Sequence, residues 1–79
     1  MIVGDLYRLG KTSTIDVFRD TDLNPKNSWR LTGLDVFVVL SYEYEVDGRY
    51  MVKCLTARGV GYVRTFELWG GTMLKLAHA

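Results

Sequence analysis

Across residues 34–46 the chain alternates with a period of two. Leu34, Val36, Val38, Leu40, Tyr42, Tyr44 and Val46 fall on one side, and Asp35, Phe37, Val39, Ser41, Glu43 and Glu45 on the other. Successive side chains of a strand point to opposite faces, so the pattern predicts one long strand whose fully apolar, even-numbered face meets a core. Asp47-Gly48 follows. Glycine reaches positive φ without a Cβ clash, so this pair predicts a hairpin turn into a second strand at 49–57. A two-residue loop would pair Val46 with Arg49, and a three-residue loop Glu45 with Arg49. The three-residue loop sets Tyr44 against Tyr50, Tyr42 against Val52, Leu40 against Cys54 and Val38 against Thr56. It is the expected one, because apolar then meets apolar along the whole ladder.

The same period marks strands at 2–9 and 12–19 around Gly10-Lys11. It returns at 62–69 after the turn Arg58-Gly59-Val60-Gly61, and at 72–76 after Gly70-Gly71. In 62–69, Tyr62, Phe66 and Leu68 share one face, and Val63, Thr65, Glu67 and Trp69 the other. Arg64 interrupts the apolar face, which implies a bulge, an aliphatic stem lying over the core, or a buried pair with a carboxylate. Residues 20–28, with Asp22, Asn24, Pro25 and Asn27, form the one long polar loop, with room for a turn of helix. No apolar stripe at helical spacing, internal repeat or low-complexity run occurs. Short strands joined by tight turns in 79 residues predict one all-β domain spanning 1–79: a small barrel, or a rolled antiparallel sheet of five to six strands.

The order of these elements resembles an SH3-type small barrel. A first strand opens with Gly4-Asp5-Leu6-Tyr7-Arg8, a long loop and a central hairpin follow, and a glycine-containing turn leads to the last strands. Gly59-Val60-Gly61-Tyr62-Val63 and Gly4-Asp5 are similar to turns in the KOW and Tudor-like branches of that superfamily. The compact chain also resembles the small accessory proteins that bacteriophages encode. The resemblance implies an SH3-like barrel that binds other macromolecules, as a virion component or a factor directed at a host protein.

Composition narrows the classes further. At 48% hydrophobic and 13% aromatic residues with one proline, the chain carries enough apolar surface to fold. Ten basic against nine acidic residues leave a net charge of +1, so no bulk field draws it to nucleic acid or to an anionic membrane. The single Cys54 has no partner for an internal disulfide, which points to a reducing, cytoplasmic setting. The N-terminus has no signal-peptide pattern and no segment has the apolar length of a membrane span.

Catalytic chemistry finds little to work with. The only histidine is His78, beside the end of the chain, and Cys54 alternates with apolar neighbours as a small buried hydrophobe would. Asp20-Thr21-Asp22-Leu23-Asn24 imitates the start of a calcium loop, but Pro25 replaces its glycine and Leu31 its bidentate glutamate. Glu43 and Glu45 share a strand face without a visible proton partner, and Glu45 is expected to pair with Arg49. Neither glycine turn forms a phosphate-binding loop. No enzyme activity, metal or cofactor is expected. Two binding surfaces remain. Phe37, Val39, Met51 and Val63 on the face away from the predicted core, with Trp29 or Trp69 as an anchor, would contact a protein partner or another copy of the chain. Alternatively Lys53, Arg58, Tyr62 and Arg64 would hold phosphates and stack a base of a nucleic acid.

Overall fold

The computed structural model describes residues 3–68 and the backbone of a final strand. In chain order the strands are β1 (Leu6–Leu9), β2 (Ile15–Phe18), β3 (Ser28–Leu31), β4 (Val36–Val39), β5 (Tyr44–Val46), β6 (Arg49–Thr56), β7 (Gly59–Arg64) and β8 (Met73–Ala77). Two 3-10 turns, η1 (Pro25–Asn27) and η2 (Thr65–Leu68), interrupt them, and no α-helix occurs among the described residues. Asn24 caps η1 by accepting from the Lys26 N–H at 3.0 Å, ahead of a proline whose fixed φ suits the first helical position.

All the strands join one antiparallel sheet. Seven run in the order β3-β2-β7-β6-β4-β1-β8, and β5 pairs with the free end of β6. The strands at the two ends, β3 and β8, are not paired to each other. The sheet is therefore rolled but not closed into a barrel. Its curl is tight enough for the Trp29 Nε1 on β3 to donate to Thr56 Oγ1 on β6 at 3.2 Å, past β2 and β7. The core lies inside the roll, with Leu9, Ile15, Val17, Phe37, Val39, Cys54 and Val63 each at most 1% exposed.

The central hairpin departs from the expected register. Asp47 (φ 51°) and Gly48 (φ 79°) both adopt left-handed backbone, the requirement of a two-residue turn whose twist matches that of the strands. Val46 consequently pairs with Arg49, Glu45 with Tyr50 and Tyr44 with Met51. The three-residue loop is thus replaced by the two-residue one, and Glu45 does not face Arg49. The predicted long strand is also divided. Val39 pairs with Cys54 and Tyr44 with Met51, so residues 40–43 span a stretch that β6 covers with Val52 and Lys53 alone. The Ser41 hydroxyl accepts from the Lys53 N–H (2.9 Å) and the Leu40 N–H donates to the Lys53 carbonyl (2.7 Å), which ties this bulge to the sheet.

Two extra residues leave the alternation in phase, and the face turned inward is the odd-numbered one. Phe37 and Val39 are buried while Val36 and Leu40 are exposed, the reverse of the expected orientation. Residues 36–39 are Val-Phe-Val-Val, apolar on both faces, so β4 itself carries no polar contrast. The polar residues that marked the odd face as wet lie outside β4: Asp35 precedes it, Ser41 and Glu43 occupy the bulge, and Glu45 sits in β5 near the hairpin turn. Two further expectations change. Strand β3 was not anticipated, and the strand expected at 62–69 ends at Arg64, after which η2 buries Leu68 and leaves Phe66 exposed.

Candidate functional site

With the odd positions of β4 inside, the outer face of the sheet carries Leu6, Val36, Val38, Met51, Lys53, Leu55, Val60, Tyr62 and Phe18, as the register pairs require. This face has two unlike halves. Phe18 and Met51 are buried although both lie outside the inner core cluster. The Arg64 guanidinium lies 5.4 Å from the Phe18 ring centre, and the long polar loop returns toward this half, where Arg49 Nη1 donates to the Asp22 carbonyl at 3.4 Å. Tyr44 and Tyr62 meet here across β6. Burial first, then the neighbouring and hydrogen-bonded Tyr62 phenol, raise the Tyr44 pKa above its usual 10.0.

The other half is bare. Leu6 pairs with Val38, Val38 with Leu55, and Leu55 with Val60, a row of aliphatic side chains across β1, β4, β6 and β7. Leu55 and Val60 are 44% and 41% exposed, and Val36 and Leu40 beside them are 43% and 38% exposed. Scattered exposed aliphatics are ordinary on a small protein, but a contiguous apolar row on one face is the feature that marks an interaction surface.

The residues chosen from sequence fall elsewhere. Phe37, Val39 and Val63 are core residues, Met51 is buried on the covered half, and Trp29 is buried with its N–H bonded to Thr56. Phe37, Val39 and Val63 are placed by inverted faces and Trp29 by the curl, whereas Met51 keeps its expected outer position but is covered; none of the five offers surface to a partner. Trp69 lies outside the described residues. The sequence does not reveal the bare row because the alternation assigns Val36, Val38 and Leu40 to the core face. The alternation did single them out, with the wrong side turned inward.

Of Lys53, Arg58, Tyr62 and Arg64, three share the outer face, with Arg64 opposite Met51 and two residues from Tyr62, while Arg58 stands apart in the β6–β7 turn. Lys53 and Tyr62 are cross-strand partners on the outer face. Arg64 is committed to carboxylates, with Asp16 at 3.5 Å and Glu67 at 3.3 Å, while its guanidinium also lies over Phe66 at 5.2 Å. Its ion pairs and the Phe18 and Phe66 rings thus accommodate the charge on the predicted apolar face. Arg58 stands in the β6–β7 turn over the Trp29 ring (5.9 Å), together with Arg19 (5.4 Å).

Cys54 is fully buried, and burial pushes its thiol from 9.0 up to about 12. The folded protein holds the proton that the unfolded chain releases above its own pKa. Stability is therefore full below pH 9 and declines as the pH rises toward 12, by roughly 1.4 kcal/mol per pH unit. Urea denaturation of the protein and of Cys54→Ala at pH 7 to 11 checks this, with the alkaline slope of the difference vanishing in the variant. A thiol reagent at pH 8 is expected to leave native Cys54 unmodified.

No protein-family model, curated protein or solved structure matches the chain.

Proposed function

We propose that this chain is a non-enzymatic protein-interaction module whose binding surface is the bare half of the outer sheet face. The observation that carries it is the unbroken row Leu6–Val38–Leu55–Val60, flanked by exposed Val36 and Leu40. The β sheet leaves Leu55, Val60, Val36 and Leu40 exposed and Leu6 and Val38 half-buried on one face, while Phe18 and Met51 on the other half of that face are covered. Burying them against a second copy of the chain or against another protein removes that apolar surface from water. A fully buried, protonated Cys54 supports a role without nucleophilic chemistry. The likeness of element order and glycine turns to SH3-type barrels of the KOW and Tudor-like branches, and of the small chain to phage accessory proteins, fits a binding role in a virion or on a host protein in the cytoplasm.

A nucleic-acid reading rests on Arg58 and Arg19, which converge on Trp29 and make no ion pair with a carboxylate among the described residues. Arg64, neutralised by two carboxylates, contributes little to it.

Light scattering after size-exclusion chromatography, at low and physiological salt, with and without mixed single- and double-stranded oligonucleotides, separates the two. The protein-binding role expects self-association indifferent to salt and oligonucleotide, dispersed by Leu55→Glu with a stability change of about 1 kcal/mol or less. A monomer that shifts only with oligonucleotide at low salt, and no longer shifts after Arg19→Ala with Arg58→Ala, would overturn it, because counterion release makes phosphate binding steeply salt-dependent.

A further inference from the structure

A half-open cavity of about 450 Å³ lies between Glu43 of the bulge with Arg49 and Tyr50 at the start of β6, and the β7–η2 junction with Arg64, Thr65 and Phe66. Its size is that of a small-ligand site. Tyr50 is 56% and Phe66 60% exposed, so two aromatic rings in its lining stand largely in water. Thr65 is more than nine-tenths buried, and its Oγ1 has no hydrogen-bond partner among the described residues. An unpartnered buried hydroxyl is costly, and rotation about χ1 carries a threonine Oγ1 to another staggered position without moving the backbone. A ligand in this cavity can therefore give Thr65 the polar partner that the described residues do not supply.

The charges around the cavity select among ligands. Glu43 and Arg49 both line it, and the Arg64 guanidinium is held by Asp16 and Glu67. A polyanion would find one cation balanced by one carboxylate, whereas an uncharged planar ring meets two aromatic surfaces and one hydroxyl. We propose that this cavity receives the phenol or indole ring of a tyrosine or tryptophan from a partner protein, stacked on Tyr50 and Phe66 with its polar edge hydrogen-bonded to Thr65. The inference builds on the protein-interaction role and adds to it a second contact, at the hairpin end of the sheet instead of its bare face.

The test is an amide chemical-shift titration of the full chain with N-acetyl-tyrosinamide and N-acetyl-tryptophanamide, with N-acetyl-alaninamide and a short thymidine oligonucleotide as comparisons. The expected result is saturable shifts with a dissociation constant of about 1 mM, confined to residues 43–50 and 64–66, and none with the alanine compound. Phe66→Ala and Tyr50→Ala, both exposed, abolish the shifts and keep the fold. Thr65→Val, nearly isosteric, weakens binding about tenfold while raising the melting temperature by a few degrees, since it removes the unpartnered hydroxyl. Leu55→Glu binds the probes as the unsubstituted protein does, so failure of the bare-face role and failure of this site are read separately. No saturable shifts, unchanged affinity in Thr65→Val, or a preference of these residues for the oligonucleotide would each overturn the proposal.

Discussion

Phe37→Ala is expected to cost about 3–5 kcal/mol, the usual range for emptying a buried aromatic site. Phe37 is 1% exposed and stacks on Tyr7 with ring centres 5.7 Å apart and planes 24° from parallel. The loss therefore includes the aromatic contact as well as the buried area. A domain of this length has a total stability on the order of 4–12 kcal/mol, so the variant should lose a large part of it and melt at least about 12 °C lower. Val36→Ala, one residue away on the outer face and 43% exposed, should change stability by about 0.5 kcal/mol or less. Urea denaturation of both variants, with midpoint and slope compared, decides the matter. A tolerant Phe37 beside an intolerant Val36 would restore the even-numbered face to the core and would remove the bare row as a binding surface.

The pair of variants also shows where the chain was legible and where it was not. Period-two alternation identified the strand regions that became β1, β2, β4, β6 and β7, together with the Asp47-Gly48 turn, because each rests on a local property of the chain. Which face of 36–39 turns inward is not local. Val-Phe-Val-Val is apolar on both sides, and the decision falls to volume: Phe37 fills the interior against Tyr7, while the smaller valines remain outside. The hairpin register is not legible for a related reason. Apolar pairing along the whole ladder presupposes an unbroken strand, whereas the bulge at 40–43 gives the two halves different registers. Strand β3 escaped notice because Ser28-Trp29-Arg30-Leu31 is only four residues long and follows a polar loop. It exists through long-range contacts, with its pairing to β2, the Arg30–Asp16 ion pair at 3.0 Å and the reach of Trp29 to Thr56. The candidate surface followed the same division. Val36, Val38 and Leu40 stand out in the sequence as an apolar alternation, but only the fold shows that this side is turned outward, with Val36 and Leu40 exposed.

The curl that brings Trp29 to Thr56 depends on Gly61, and Gly61→Ala should be the second most damaging change, at about 3 kcal/mol, near the upper end for an overfilled core. A Cβ built on Gly61 would collide with Val17 Cγ1 and stand 2.9 Å from both the Phe18 carbonyl oxygen and Trp29 Cη2. The side chains can shift only at the expense of their packing, and the carbonyl belongs to the neighbouring strand β2, which pairs with β7 through Phe18 and Tyr62. To admit the methyl group β2 and the Trp29 ring must move away from β7, which strains the Trp29–Thr56 hydrogen bond. The residue is thus glycine for lack of space, in contrast to Gly48, which has open space around it and is fixed by its φ of 79°. A double-mutant cycle tests the cause. Trp29→Phe shortens the ring that Gly61 accommodates, so Gly61→Ala should cost less in that background, with a coupling of about 1 kcal/mol. Strict additivity of the two changes would show that the indole is not what excludes a side chain at 61, and would assign the collision to the β2 backbone and Val17 alone.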